Sequence, residues 1–423
     1  MFSIDLFAGC GGLSHGLRKA GFECLWANEF DKSAASTFRN NFPFSHVSED
    51  DIRSIDASDI RNSLKLAPND LNLLVGGFPC QGFSTYGQRN VDDERNQLYV
   101  DYIRFVEEFR PKYFLIENVV GILSMSGGAV VRDICHRLEA LGYTCDVQTL
   151  QAADYGVPQL RRRVFICGHL GDQGFRWPTP THGESTELSL SKEGGRKYVN
   201  VYEAISDLPS VALKPNQAHD ILDYPEVHKL SDYQERMRIG AVKLHDHSAK
   251  QMMSFRKLRI ILMKQGGYGS DLSKIDISQQ IPAEVRSEIV EDCGLRRPLH
   301  LCRKQDQEKE LALRQLLEKP ELTYGDLIDI IGSGGFANKY RRLDPSKPSH
   351  TLVAHMARDC SDFIHPDQNR FITVREAARL QSFEDTFTFK GSQFAQLKQI
   401  GNAVPPDLGF AVGKSLAEAI SLG

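Results

Sequence analysis

Up to about residue 170, short apolar runs alternate with amphipathic segments, and this alternation constrains the fold more than any other feature of the sequence. The runs that read as buried strands lie at 4–7, 24–28, 71–75, 113–116, 145–150 and 164–167. The segments with the apolar spacing of helices lie at 13–20, 32–40, 98–109 and 130–141. Strands that alternate with helices predict an α/β fold with a mostly parallel, doubly wound sheet.

The alternation then ends, and the sequence changes character. Residues 182–200 are polar and read as a surface loop, and residues 207–370 carry basic clusters and loose glycine turns. We expect one domain formed by residues 1–206 and completed by 392–423, and a smaller, irregular domain formed by residues 207–391. The formal net charge is −4, so a surface for nucleic acid must be local rather than global.

A glycine-rich turn joins the first predicted strand to the first predicted helix. Gly9 and Gly11 fit a dinucleotide-binding fingerprint, but Ser14 stands at its third glycine position, which argues against a nicotinamide-dependent dehydrogenase. Glu29 and Asp51, which follow the next two strands, suit a ribose diol and an adenine amino group. These features favour a nucleoside ligand without a pyrophosphate, such as S-adenosylmethionine; a tight turn with ordinary glycines is the alternative.

Cys80 follows a predicted strand and the stiff segment Gly-Gly-Phe-Pro at 76–79. Open α/β sheets place their chemistry at the carboxyl ends of the strands, so we expect Cys80 to be a nucleophile. The alternative is a buried structural cysteine. The nine cysteines include no CxxC pair, which argues against a disulfide framework and a zinc site.

Two further polar groups follow predicted strand ends. A carboxyl at Glu117 can protonate or hydrogen-bond a ring nitrogen if burial raises its pKa, although a salt bridge beside a capping Asn118 would also explain it. Arg161 and Arg163 occupy alternate positions of a predicted strand, so they should share a face and could hold a base carbonyl and a phosphate. The alternative for these arginines is a solvated run of charge.

These residues belong to a series of motifs that resembles the DNA (cytosine-5-)-methyltransferases of the bacterial modification type. The motifs are Phe-Ala-Gly-Cys-Gly-Gly at 7–12, Gly-Phe-Pro-Cys-Gln at 77–81, Glu-Asn-Val at 117–119, Gln-Leu-Arg-Arg-Arg at 159–163, Arg-Glu-Ala-Ala-Arg-Leu-Gln-Ser-Phe at 375–383 and Gly-Asn-Ala-Val-Pro-Pro at 401–406. The resemblance covers about 1–180 and 370–423. Residues 207–350 match only by their position, as the variable target-recognition region.

The resemblance implies a Rossmann-like methyltransferase fold, in which 207–391 would form the target-recognition, DNA-binding domain. It implies S-adenosylmethionine as cofactor, S-adenosylhomocysteine as product, and no metal. In this resemblance Glu29 would take the ribose and Asp51 the adenine. The cofactor-binding residues would be Phe7, Ala8, Gly9, Gly11, Gly12, Glu29, Phe30, Asp51, Ile52, Pro79, Leu98, Asn402 and Ala403.

The resemblance also assigns the catalytic residues. Cys80 would attack C6 of a cytosine flipped from the duplex, and the loop at 82–93 would close over that base. Glu117 would contact N3 and the exocyclic amine of the cytosine. Arg163 would hold the O2 atom, and Arg161 would support the catalytic loop. Methyl transfer to C5 would follow within a specific sequence of double-stranded DNA.

The same resemblance predicts a monomer that acts on DNA in the cytoplasm, and it leaves open whether a separate restriction endonuclease is paired with the protein. No apolar run approaches the roughly 18–20 residues of a membrane span. Two alternatives stay open: a tRNA cytosine methyltransferase, whose Cys-Phe-Thr motif is absent here, and a catalytically silent DNA-binding regulator. At Glu384, many members of the resembled family have proline. This position lies outside the residues that carry the chemistry, so the difference puts no part of the expected function in doubt.

Overall fold

The structure is a computed structural model, and it describes residues 1–79, 98–171, 174–184, 195–211, 221–249, 252, 254–263, 267, 269–294, 304–331, 339–358 and 360–422. Its centre is a sheet of seven strands. These strands are β1 (Phe2–Leu6), β2 (Glu23–Asn28), β3 (His46–Ser48), β4 (Leu73–Gly76), β5 (Tyr113–Val119), β6 (Tyr143–Gln151) and β8 (Arg162–Leu170). Two short pairs flank it: β7 (Gln159–Leu160) with β11 (Ser349–His350), and β9 (His182–Gly183) with β10 (Arg196–Lys197).

The spatial order of the strands is β3-β2-β1-β4-β5-β8-β6. The strands from β3 to β5 pair in parallel, whereas β8 lies antiparallel between β5 and β6. The connection from β6 to β8 contains no helical crossover, and a strand that returns without one must run antiparallel. The predicted α/β, mostly parallel sheet is confirmed, and β8 is its exception.

The helices of the first half are α1 (Gly12–Lys19), α2 (Lys32–Asn41), α3 (Ala57–Ser63), α4 (Leu98–Phe109) and α5 (Ala129–Ala140). Those of the second half are α6 (Val201–Ile205), α7 (Asp232–Arg238), α8 (Ser254–Ile261), α9 (Ala283–Gly294), α10 (Lys304–Leu317), α11 (Tyr324–Ile331), α12 (Val374–Leu380), α13 (Gln393–Asn402) and α14 (Pro406–Ser421). The four helices predicted before residue 170 correspond to α1, α2, α4 and α5. The sequence pattern did not predict α3.

Alternate residues of the central strands belong to different hydrophobic clusters. Leu74 packs with α4 residues such as Phe105 on one face of the sheet. Leu73 and Val75 pack with Leu17 of α1 and other residues of α1 and α14 on the opposite face. Because successive strand side chains point to opposite faces, a sheet covered on both sides needs these continuous apolar runs. The packing therefore explains the doubly wound arrangement that the sequence predicts.

Two further clusters organise the second half of the chain. One includes Phe38 of α2, Leu380 of α12 and Leu397 of α13, so it contains residues from both sides of positions 207 and 391. The other is formed within 258–330, from α8 to α11. The division into domains at 207 and 391 stays a prediction. Within the described part of the chain, none of the helices has the length and apolar character needed to cross a bilayer.

Candidate active site

A cavity of about 1200 Å³ opens at the carboxyl ends of β1, β2, β4 and β5. Most of the residues predicted to bind the cofactor or act in catalysis line it. These are Phe7, Ala8, Gly9, Gly12, Glu29, Phe30, Asp51, Ile52, Pro79, Leu98, Glu117, Arg161, Arg163, Asn402 and Ala403. Parallel strands end at the same edge of a sheet, so motifs far apart in sequence meet there.

Gly11 is the predicted cofactor residue that is not among the described lining of this cavity. Its φ is 92°, and a Cβ there would lie 2.6 Å from the ring of Phe42. Glycine at this position therefore allows the positive φ of the turn and the close approach of the Phe42 ring. Gly9 differs, since a Cβ there would meet nothing within 4 Å, which leaves the turn open towards the cavity.

Glu29 is fixed at the end of β2 by two backbone donors. The N–H of Gly9 donates to Oε2 at 2.8 Å, and the N–H of Asp31 donates to Oε1 at 2.7 Å. Burial raises the pKa of Glu29, while these two hydrogen bonds and the charge of Lys398 oppose the rise. Each carboxylate oxygen keeps acceptor capacity for a ligand hydroxyl in the cavity.

Asp51 and Phe30 lie at the edge of the cavity. Arg53 donates to the Asp51 carboxylate from its backbone at 3.0 Å and from Nε at 2.9 Å, and these bonds lower the pKa of Asp51. The ring of Phe30 is 70% exposed. An exposed aromatic face beside fixed carboxylates can stack on a planar base while the acids accept its hydrogen bonds.

Glu117 and Arg163 meet because β5 and β8 are antiparallel neighbours. Arg163 Nε lies 3.0 Å from Glu117 Oε1, and the two side chains are 12% and 11% exposed. Burial raises the pKa of Glu117, and the charges of Arg163 and Arg161 oppose that rise. The salt bridge considered from the sequence therefore exists, and its partner is the arginine predicted to share the site.

Asn118, next to Glu117, holds the segment before Cys80. Its side-chain amide donates to the carbonyl of Phe78 at 3.1 Å, which fixes the residue adjacent to Pro79. A Cβ on Gly77 would lie 3.1 Å from Glu117 Oε2, so glycine allows the end of β4 to approach this carboxylate. Cys80 and the predicted closing loop at 82–93 lie outside the described residues.

Arg161 differs from its prediction in one respect. It precedes β8, which begins at Arg162, so it does not share that strand with Arg163. Its side chain is buried and donates to the carbonyls of Leu352, Gly401 and Ala403 at 2.6–3.1 Å. It still lines the cavity beside Arg163. The contacts show that Arg161 holds the segment at 401–403, which also lines the cavity.

Sequence reasoning missed several residues that support the cavity. The buried side chain of Gln159 donates to Gln381, and Gln381 donates to the carbonyl of Ala403 at 2.6 Å. Lys398 and Asp31 line the cavity as an ion pair. Gln159 and Gln381 belong to the motifs at 159–163 and 375–383, but no local pattern in the sequence indicates their partners. Over the described residues, no cluster of three or more His, Cys, Asp or Glu side chains could hold a metal ion.

Glu384 lies outside the cavity and supports α1. His15 Nε2 lies 3.1 Å from Glu384 Oε2, and Lys19 Nζ lies 2.7 Å from Oε1. Burial alone would raise the pKa of Glu384, but the hydrogen bonds from His15 and Lys19 outweigh it and lower the pKa to about 2. This carboxylate thus ties the turn after α12 to the helix that begins at the cavity.

Comparison with known proteins agrees with this geometry. Residues 1–418 match the family model of C-5 cytosine-specific DNA methylases. The Type II methyltransferase M.AgeI of Thalassovita gelatinovora is 49% identical, over 100% of both chains. M.DdeI of Desulfomicrobium norvegicum, also a Type II methyltransferase, is 36% identical over 99% of this chain and 88% of its own. A solved E. coli protein that is encoded within a prophage has a TM-score of 0.69 and 25% identity, over 100% of this chain and 99% of its own.

Proposed function

This chain belongs to the family of C-5 cytosine-specific DNA methylases, and from that membership we propose that it transfers a methyl group from S-adenosylmethionine to C5 of a flipped cytosine. The substrate is a specific sequence of double-stranded DNA. One observation carries the proposal: the glycine turn with Glu29 and the Glu117–Arg163 pair line the same cavity. A nucleoside cofactor and a base can therefore lie within reach of each other.

The cofactor end of the cavity suits an adenosyl group. Glu29 would accept hydrogen bonds from the ribose hydroxyls, and the exposed ring of Phe30 would stack on the adenine. Asp51 would accept from the exocyclic amine while Arg53 keeps its carboxylate ionised. S-adenosylmethionine supplies the methyl group when it is bound.

The base end of the cavity suits an activated cytosine. Cytosine C5 is a poor nucleophile, and addition of the Cys80 thiolate at C6 would turn C5 into an enamine-like carbon. Glu117 would hydrogen-bond N3 and the exocyclic amine as the ring gains electron density, and Arg163 would hold O2. After C5 has gained the methyl group, loss of the C5 proton to a base breaks the Cys80–C6 bond. This elimination restores the aromatic ring and the thiolate.

The raised pKa of Glu117 supports its role. Burial favours the protonated carboxyl of Glu117, and Arg163 favours the carboxylate. The Glu117 carboxyl can therefore share a proton with N3, or give one to it, while it stays in contact with Arg163. A cytosine inside a duplex cannot reach this cavity, so the base must leave the stack at a cost of a few kcal/mol. Residues 207–391 would hold the duplex by its phosphates and read its base edges.

The relatives named as Type II methyltransferases support a modification role. We propose that the protein acts as a monomer on cytoplasmic DNA and protects sites that a separate restriction endonuclease cleaves. Methyl transfer to duplex DNA and to tRNA, compared side by side, tests the substrate class. We expect methylation of duplex DNA at one short sequence, mapped by bisulfite sequencing. Methylation of tRNA with none of DNA would overturn the proposal.

A further inference from the structure

Lys398 lies on α13 and lines the cavity, and the reaction proposed above leaves it without a role. Its Nζ donates to Oδ2 of Asp31 at 2.7 Å, across a separation of 367 positions. The two side chains are 44% and 39% exposed, so the pair lies at the edge of the cavity rather than in its floor. This contact joins α13 to the turn before α2, and both segments line the cavity.

Asp31 connects this ion pair to the glycine turn. Its Oδ1 accepts from the backbone N–H groups of Ser33 and Ala34 and so caps α2. Its own N–H donates to Glu29 Oε1, and Glu29 Oε2 accepts from the N–H of Gly9. Lys398 therefore stands at one end of a continuous series of hydrogen bonds that ends at the glycine turn.

The charges at this edge explain why a cation is needed. Glu29 and Asp31 are acidic residues two positions apart, and burial together with the charge of Asp31 raises the pKa of Glu29. Lys398 offsets this repulsion, and together with the backbone donors it lowers the pKa of Asp31 despite partial burial. Without the ammonium group, the turn at 29–31 would lose the contact that fixes it to α13.

We propose that Lys398 is a positioning residue for the cofactor. Through Asp31 it holds the turn at 29–31 in the orientation in which the Glu29 carboxylate meets the ribose, and it keeps α13 close to the start of α2. This inference rests on the proposed function, since it assigns a further residue to the same cofactor site. In this role Lys398 acts on the glycine turn through Asp31 and Glu29, so its loss should weaken cofactor affinity and leave the chemical step unchanged.

The test measures binding of S-adenosylhomocysteine to the full chain by calorimetry. An exposed or half-exposed ion pair contributes up to about 1 kcal/mol, so K398M should weaken binding about three- to fivefold. K398R should restore affinity to within about twofold, because arginine can still pair with a carboxylate. K414M is the matched control: Lys414 is a more exposed lysine that pairs with Glu418 on α14. The K414M variant should bind S-adenosylhomocysteine with the wild-type affinity.

The partner substitution completes the test. D31N retains the α2 cap, since asparagine caps as well as aspartate does, and it should weaken binding as K398M does. The double variant should bind the cofactor product no more weakly than either single variant, because both substitutions remove the same interaction. The KM for the cofactor should rise in step with the dissociation constant, while kcat and DNA binding stay at the wild-type value.

Several results would overturn the inference. Unchanged affinity in K398M, or effects of K398M and D31N that multiply in the double variant, would make the pair an ordinary surface contact. Should K398M fail to fold, the single variant D31N and the double variant D31N/K398R test the same ion pair. A wild-type protein that binds neither S-adenosylmethionine nor S-adenosylhomocysteine would overturn the proposed function itself. Binding by the wild type with no effect of K398M would overturn this inference alone.

Discussion

Replacement of Glu117 by glutamine is the perturbation that most sharply separates chemistry from structure at this site. The amide keeps the shape of the side chain and one oxygen that can accept from Arg163, which lies 3.0 Å from Glu117 Oε1. It cannot be ionised and cannot give a proton to N3. We therefore expect E117Q to keep the architecture of the cavity and to lose the stabilisation of charge on the cytosine ring.

The size of each effect follows from the contacts. Loss of one preorganised group at developing charge costs about 2.7–4 kcal/mol, so kcat should fall about 10²–10³-fold. The neutral amide also leaves the nearly buried Arg163 without a counter-charge, which should lower the free energy of unfolding by about 1–3 kcal/mol. Glu117 has no contact with Glu29 or the glycine turn among the hydrogen bonds of the described residues, so cofactor affinity should not change.

Three measurements on the same preparation test this prediction: single-turnover methyl transfer to duplex DNA, calorimetric titration with S-adenosylhomocysteine, and urea unfolding. E107Q, at an exposed position of α4, is the matched control and should behave as the wild type. Methylation by E117Q within about threefold of the wild type would refute the assignment of Glu117 to the reacting ring. Loss of cofactor binding in E117Q would instead show that the residue serves the whole cavity.

Two further predictions concern the support of α1 and of the glycine turn. A Cβ at Gly12 would lie 2.3 Å from the carbonyl oxygen of Val404, so G12A should destabilise the fold by about 1–3 kcal/mol in urea unfolding. G174A, where a Cβ meets nothing within 4 Å, should not, and equal unfolding of the two variants would contradict the packing argument. The lowered pKa of Glu384 means that its stabilisation is complete above its ordinary pKa of 4.5 and is lost as the pH falls towards about 2. E384Q should therefore melt below the wild type at pH 7, with a difference that shrinks over this window; a difference independent of pH would exclude the ion pairs as its cause.

The parts of the molecule that the sequence predicts are those fixed by local patterns. Short apolar runs and helical spacing identify the strands and helices of the first half. They do so because the side chains that pack on either face of the sheet must be apolar. The site residues follow from the same logic, since the carboxyl ends of parallel strands must meet at one edge of the sheet: Glu29 follows β2, and Glu117 lies near the end of β5.

The parts that the sequence does not predict depend on partners distant in the chain. Arg161 lies outside the strand expected for it, and its buried guanidinium donates to the carbonyls of Leu352, Gly401 and Ala403. The pair of Lys398 and Asp31 joins residues 367 positions apart. Glu384, considered outside the chemistry, supports α1 through Lys19 and His15. No local periodicity carries information about such contacts.

The central claim is that Cys80 forms a covalent bond to C6 of a cytosine in DNA. It is tested most directly by incubation of the protein and S-adenosylmethionine with a duplex that contains 5-fluorocytosine at the methylated position. Fluorine at C5 cannot be lost as a proton is, so elimination fails and the adduct persists. We predict a denaturant-resistant protein–DNA complex whose cross-linked peptide contains Cys80 by mass spectrometry, and none with C80A. Absence of the complex during methylation of the unmodified duplex, or its survival in C80A, would contradict the mechanism.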